Sequence, residues 1–188
     1  MKKILTLALL ASAAIATPAL AQTSASGTVA VTGTVAGKCT AITPITGTIT
    51  LGEMANSAGT VISGFTNNVG GLSRSFTVIC TSSTASITVS STNLAILADA
   101  GTANGYTGTV HYTSTLTAQK AGGGLDASAV YTSADALPGA TTVSLADRLK
   151  NAANNVTVTV SNGTTTNATD LLKSGTYNST ITITVAPV

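Results

Sequence analysis

Catalysis needs titratable groups brought together, and this chain of 188 residues carries one histidine, two cysteines, six acidic and eight basic side chains. His111 is the natural general base for a hydroxyl nucleophile, serines are plentiful, and Asp99, Asp126, Asp135, Asp147 and Asp170 are the carboxylates that could orient it. The local pattern does not support such a triad. In TGTVHYT, residues 107–113, His111 shares strand parity with Thr107 and Thr109, opposite Val110 and Tyr112, and is expected to face solvent. No G-x-S-x-G elbow sets a serine on a strained turn between strand and helix. A single histidine among scattered carboxylates lacks metal-ligand spacing. Nothing nominates the pair of acids that glycoside hydrolysis requires. The glycine run AGGGL, 121–125, lacks the Lys and Ser/Thr that complete a phosphate-binding loop. No enzyme activity, catalytic residue, metal site or cofactor is expected. The Asn-x-Thr sequons at Asn155, Asn167 and Asn178 follow from an abundance of Asn and Thr.

The elements that would position any site follow from the rest of the chain. MKKILTLALLASAAIATPALAQ opens with Lys2 and Lys3, continues in an apolar run, breaks at Pro18 and ends in Ala-Leu-Ala before Gln22. That is the pattern of a secretory signal, residues 1–21, cleaved after Ala21. The run from Ile4 to Ala16 is short for a bilayer span, which leaves a retained anchor as the lesser alternative. No later segment is apolar enough to cross as a helix. Losing Lys2 and Lys3 brings the basic residues level with the six acidic ones, so nothing points to nucleic acid as a partner. In an exported chain, Cys39 and Cys80 read as one disulfide, closing a loop worth about 4 kcal/mol in the chain-entropy picture.

Val, Ile and Thr alternate through most of what remains, between clusters of Gly, Asn and Ser. Strands are expected at 45–52, 74–81, 85–91, 105–113, 155–161 and 176–185. Phe76, Val78 and Cys80 share a face, as do Val156, Val158 and Val160. In the last run Tyr177, Ile181, Ile183 and Val185 point one way and Asn178, Thr180, Thr182 and Thr184 the other. SLADRLKNAA, 144–153, is the one helical candidate, and 51–73 and 118–128 read as loops. Short strands, frequent turns and one bridge imply an all-β, immunoglobulin-like β-sandwich. A sugar-binding sandwich would stack its ligand on aromatic faces, and an outer-membrane barrel wants aromatic girdles; the chain has no Trp, four Tyr and two Phe.

An export signal, a Val-alternating stretch SGTVAVTGTVAGKC (26–39), a second cysteine closing FTVIC, and a C-terminal SGTYNSTITITV occur here in order. In that order the chain resembles the chaperone–usher pilus subunits (fimbrial pilins), most closely their spore-coat-protein-U-like branch. The resemblance covers the whole mature chain. It implies a sandwich lacking its last strand, with Cys39 and Cys80 joining the first two strands. It implies a groove walled by the final strand, here Tyr177, Ile181, Ile183 and Val185. It implies a donor-strand extension, residues 22–37, with Val29, Val31 and Val35 facing the groove of the next copy and Gly33 as its small mid-strand residue. The pilin domain proper is then 38–188. The implied partners are a periplasmic chaperone, an outer-membrane usher and neighbouring copies or related pilins, and the implied place is an extracellular fimbrium serving attachment or biofilm. The chain departs from typical rod pilins at its end, Ala186-Pro187-Val188, where they carry an aromatic residue. The competing expectation is a sandwich complete in one chain, with 26–37 as its own first strand, acting as a secreted binding or coat domain for a surface glycan or protein.

Overall fold

The computed structural model describes residues 27–134 and 139–188. The expected signal segment 1–21, the beginning of the expected extension (22–26) and Asp135 lie outside the described residues. The chain divides into two units, Met1–Thr34 and Val35–Val188. In the first, residues 27–34 form no strand and are exposed. The second holds every described strand.

Among the described residues the molecule is all-β, with no helix. The strands are β1 (Cys39–Ala41), β2 (Ser73–Phe76), β3 (Val78–Cys80), β4 (Ala85–Ser91), β5 (Leu94–Ile96), β6 (Thr102–Ala103) and β7 (Tyr106–Thr107), followed by β8 (Thr109–Ala118), β9 (Ala127–Thr132), β10 (Thr141–Ser144), β11 (Val156–Thr164), β12 (Leu171–Leu172), β13 (Tyr177–Asn178) and β14 (Ile181–Pro187). The largest sheet runs β13-β5-β8-β11-β2, with β9 also paired to β8; the second runs β10-β4-β14. A short pair, β1-β3, and a small sheet, β12-β7-β6, complete the set. Together they make a curled half-barrel.

Alternation decides which faces meet. In β4 Ala85, Ile87 and Val89 are buried while Ser86, Thr88 and Ser90 between them are half-exposed. Val156, Val158 and Val160 do the same in β11. β-branched residues suit these positions because their restricted side chains pack well on a pleated, half-buried surface. One core gathers Phe76, Val78, Ile87, Val89, Leu116 and Val156 between the two large sheets. A smaller one holds Met54, Phe65, Leu94, Val110, Tyr112 and Val160. Cys39 and Cys80 stand directly opposite in the β1-β3 register and form the disulfide, 41 residues apart in sequence.

Three expectations need correction. The helix at 144–153 does not form. Leu145 and Leu149 are buried, yet their segment is an irregular strap whose backbone bonds reach distant partners: the Leu145 amide donates to Ala85 O (2.8 Å), Lys150 to Gln119 O (2.8 Å), and Arg148 O accepts from Ala121 (2.9 Å). Ala146 at φ +53° breaks any helical turn. Asp147 accepts from the Gly122 amide (2.7 Å) and the Arg148 amide (2.6 Å), which hold its carboxyl below the usual carboxylate value, Gly122 foremost. Second, 45–52 is extended but joins no sheet; its one β-bridge among the described residues is Thr50 with Val69. Third, three of the expected runs are each two strands in different sheets: 74–81 divides into β2 and β3, 105–113 into β7 and β8, and the final run into β13 and β14. β13 pairs β5 in the large sheet, and β14 pairs β4 in the other.

Loop 52–69 is well built. Gly52, at φ +72°, passes so close to the Asn67 carbonyl that any Cβ would collide with it. Phe65 is fully buried over Gly163 of β11, where a side chain would strike its ring. The sequon Asn155 is a structural pin, 1% exposed. Its Nδ2 donates to Val78 O (2.7 Å) and Lys150 O (2.6 Å), and its Oδ1 accepts from the Val78 amide (2.9 Å). Replacing it strands three backbone groups away from water. Asn155→Ala is expected to cost about 3 kcal/mol, read as a lower urea midpoint with the slope unchanged; a midpoint equal to wild type would show that water replaces the amide without loss.

Candidate functional site

The second unit holds a groove of about 1040 Å³. One wall is β14. Among the described residues it hydrogen-bonds β4 along one edge and no strand along the other, so a row of backbone donors and acceptors faces the groove. Ile181 and Ile183 point into it from this wall, each half-buried, while Thr182 and Thr184 are exposed on the opposite face.

The second wall is the extended segment 45–51. Ile45, Ile49 and Leu51 are half-buried and line the groove, while Thr46, Thr48 and Thr50 are exposed. The alternation is that of a strand, yet no ladder holds it. Arg74 of β2 supplies the missing tie: its guanidinium donates to Thr48 O, to Gly70 O (3.1 Å) and to Ser73 O (2.7 Å). Five fixed donors on one planar group let a single side chain bind three carbonyls.

The floor is Phe76, Leu94, Tyr112, Val158 and Val160, drawn from four neighbouring strands of the large sheet. It runs from the larger core into the smaller one, so the groove opens onto both interiors. At the smaller core it turns polar. Tyr112 Oη lies 2.6 Å from Ser179 Oγ, and Ser179 donates onward to Thr92 O at 2.6 Å, so the phenol is the donor in the first bond. Burial pushes the Tyr112 phenol above its ordinary value. The Tyr177 hydroxyl reaches Lys173 O (2.9 Å) and Thr107 O (3.2 Å), and burial raises its pKa as well. Lys173 pairs with Asp99 at 2.6 Å. These polar groups satisfy one another or the backbone, and none converges on a point in the groove as the orienting groups of a small-molecule site do.

Of the expected wall residues, Tyr177, Ile181 and Ile183 line the groove; Val185 packs on the larger core instead. Val29, Val31 and Val35 are 89%, 93% and 82% exposed, and Gly33 is exposed too. The floor and the 45–51 wall were not foreseen. The signal for the wall was present in ITGTITL, where Ile45, Gly47, Ile49 and Leu51 fall on one parity, but alternation does not tell a paired strand from an unpaired one.

His111 lies on the outer face of β8. Its Nδ1 is 3.0 Å from Asn93 Oδ1 and its Nε2 is 3.3 Å from Thr166 Oγ1, and among the described residues no carboxylate or serine hydrogen-bonds it. Among the described residues, no three His, Cys, Asp or Glu side chains gather as a metal site would require, and no helix is long and apolar enough to cross a membrane. No protein-family model matches the chain, and no curated protein or solved structure does either.

Partial burial lowers the His111 pKa below its ordinary 6.5. The unfolded chain therefore takes up its proton at higher pH than the folded one, and stability is full above pH 6.5 and declines as pH falls from there to the folded midpoint. A proton-NMR titration should place the His111 midpoint below 6.5, and His111→Gln should flatten the stability profile across that window. A midpoint at or above 6.5 would contradict the environment described.

Proposed function

We propose that this chain is a structural subunit of an extracellular fibre, assembled by donor-strand exchange. In this reading the half-barrel is an immunoglobulin-like sandwich lacking one strand, and residues 22–37 of a neighbouring copy supply it. The observation that carries the reading is the groove between β14, paired on one edge only among the described residues, and the unladdered segment 45–51, over an apolar floor.

Such a groove suits an extended peptide better than a compact ligand. Adding a strand to β14 satisfies its open edge, and the floor accepts alternate side chains. The lengths agree. Val29 to Val35, Ile45 to Leu51 and Ile181 to Pro187 each span the same number of residues, about 20 Å of extended chain. Val29, Val31 and Val35 share one parity, and burying each gives about 1.5 kcal/mol before any ladder bond is counted. Residues 22–37 carry no charge, so the donor brings no ion into the apolar groove.

Donor and groove are different surfaces of one chain, so the contact is heterologous, and repeating it grows a fibre instead of closing a dimer. The same open edge is an aggregation hazard before assembly, which accounts for a periplasmic chaperone to cover it and an outer-membrane usher to exchange it. The export signal and disulfide fit that route, and attachment or biofilm formation is the role such a fibre serves.

The test is surface material from cells making the full chain with its secretion partners. Multimer ladders that resist SDS are expected, and deletion of 22–37 should abolish them. Gly33→Phe should block assembly while the isolated subunit keeps its melting temperature, because Gly33 is exposed in the subunit. A chain that folds as a stable monomer without any chaperone, and polymerises equally well without 22–37, would sink the proposal in favour of a self-contained secreted domain.

A further inference from the structure

The outer face of the large sheet carries an array of hydroxyl side chains. Register sets Ser75, Thr157, Thr117 and Ser128 side by side across β2, β11, β8 and β9. The next row is Ser73, Thr159, Thr115 and Val130. Ser75 Oγ and Thr157 Oγ1 are 2.8 Å apart, and the Thr117 hydroxyl donates to Thr157 O at 3.3 Å. Neither row contains an Asp, Glu, Lys or Arg. Soluble surfaces ordinarily intersperse charges of both signs, which keep like copies apart; here 7% of the whole chain is charged.

From these rows we infer that fibres of this protein associate side by side, the β2-β11-β8-β9 face of one copy seated on the same face of a copy in a neighbouring fibre. The inference rests on the fibre reading above. A second copy is the occupant that the chemistry favours. The face offers no charge to an ionic partner and no aromatic ring to a sugar. With acidic and basic residues nearly balanced, one copy does not repel another. Thr methyls and the exposed Val130 supply apolar contact, and hydroxyls can donate to and accept from their counterparts.

Area explains why fibres are needed. Four strands at about 4.8 Å and two rows at about 6.8 Å make a patch of roughly 250 Å². A stable interface wants about 800 Å² from each partner. Single copies therefore stay apart. A fibre presents the patch once per subunit, and the linked contacts add through effective concentration.

The test pairs Thr159→Lys with Ser128→Lys, which stand on different strands and in different rows, so the new charges do not face each other directly within the sheet. Wild-type fibres should pellet at low speed and appear as bundles by electron microscopy. The double variant should give the same SDS-resistant ladder and subunit melting temperature but at least a tenfold smaller pelleted fraction, with bundling restored in 1 M salt as repulsion is screened. Ladders of normal length whose wild-type fibres stay single, or variant fibres that bundle like wild type at low salt, would overturn the lateral contact alone. Absence of any wild-type ladder would overturn the fibre reading and this inference with it.

Discussion

The one-sided pairing of β14 is the constraint on which the site depends. A strand inside a sheet satisfies its backbone on both edges; β14 does so only against β4, through seven register positions from Ile181–Ser91 to Pro187–Ala85. A neighbouring strand on its other edge would remove the groove. What holds β14 there is the crossover just before it. Thr92 grips the step between β13 and β14 from three atoms: its amide donates to Thr180 O (3.0 Å), its hydroxyl accepts from the Thr180 amide (3.0 Å), and its carbonyl accepts from Ser179 Oγ (2.6 Å). The chain thus leaves the large sheet at Asn178 and enters the second at Ile181, with the polar Tyr112–Ser179 contact marking the changeover. Side chains on one parity of a single run, Tyr177 and Ile181, come to line one groove from two different sheets.

The opposite wall obeys a different logic. Segment 45–51 has the composition of a strand and the exposure pattern of one, but its backbone is tied by a side chain. Arg74 occupies an inward position of β2, opposite Val158, where an aliphatic residue would extend the floor. A guanidinium there costs desolvation that only good geometry offsets, and three carbonyl acceptors supply that geometry. The wall is therefore anchored at Thr48 by Arg74 and at Thr50 by its bridge to Val69, and has no ladder along its length. Displacing such a segment breaks few backbone bonds, whereas displacing a laddered one breaks bonds in register.

Much of the fold was legible because period-two alternation is a direct imprint of burial. Phe76, Val156, Val158 and Val160 were placed on inward faces from spacing alone, and the two cysteines, with export expected from residues 1–21, pointed to the bridge that β1 and β3 form. The failures have equally physical causes. Leu145 and Leu149 stand one helical turn apart, but burial can also be met by a strap whose amides find partners in other strands, and spacing does not distinguish the two. The break of 176–185 into β13 and β14 left no mark on parity, since Tyr177 and Ile181 keep their common side across the crossover. Arg74 opens the expected strand 74–81, and its spacing carries no sign of a tie to another segment. Its role exists only once the fold brings Thr48, 26 residues earlier in the chain, beside Gly70 and Ser73.

Alternation is also ambiguous about whose core a strand completes. Val29, Val31 and Val35 would suit an inward row of β4 or β11, yet they are exposed in the single chain, at a cost of apolar surface left in water. Segment 45–51 shows the same pattern half-satisfied, and β11 shows it satisfied. The three differ in partners and not in composition: β11 is flanked by β8 and β2, 45–51 has one bridge, and 27–35 has no strand assignment. A sequence written so uniformly in Val, Ile, Thr and Gly marks which segments alternate and leaves their pairing to the fold. The economy of charge follows from the same uniformity. Outward positions filled with Thr and Ser keep β propensity high without fixing a neighbour by ion pairs, so what the edges and faces of this molecule recognise is set by backbone register and hydroxyl spacing.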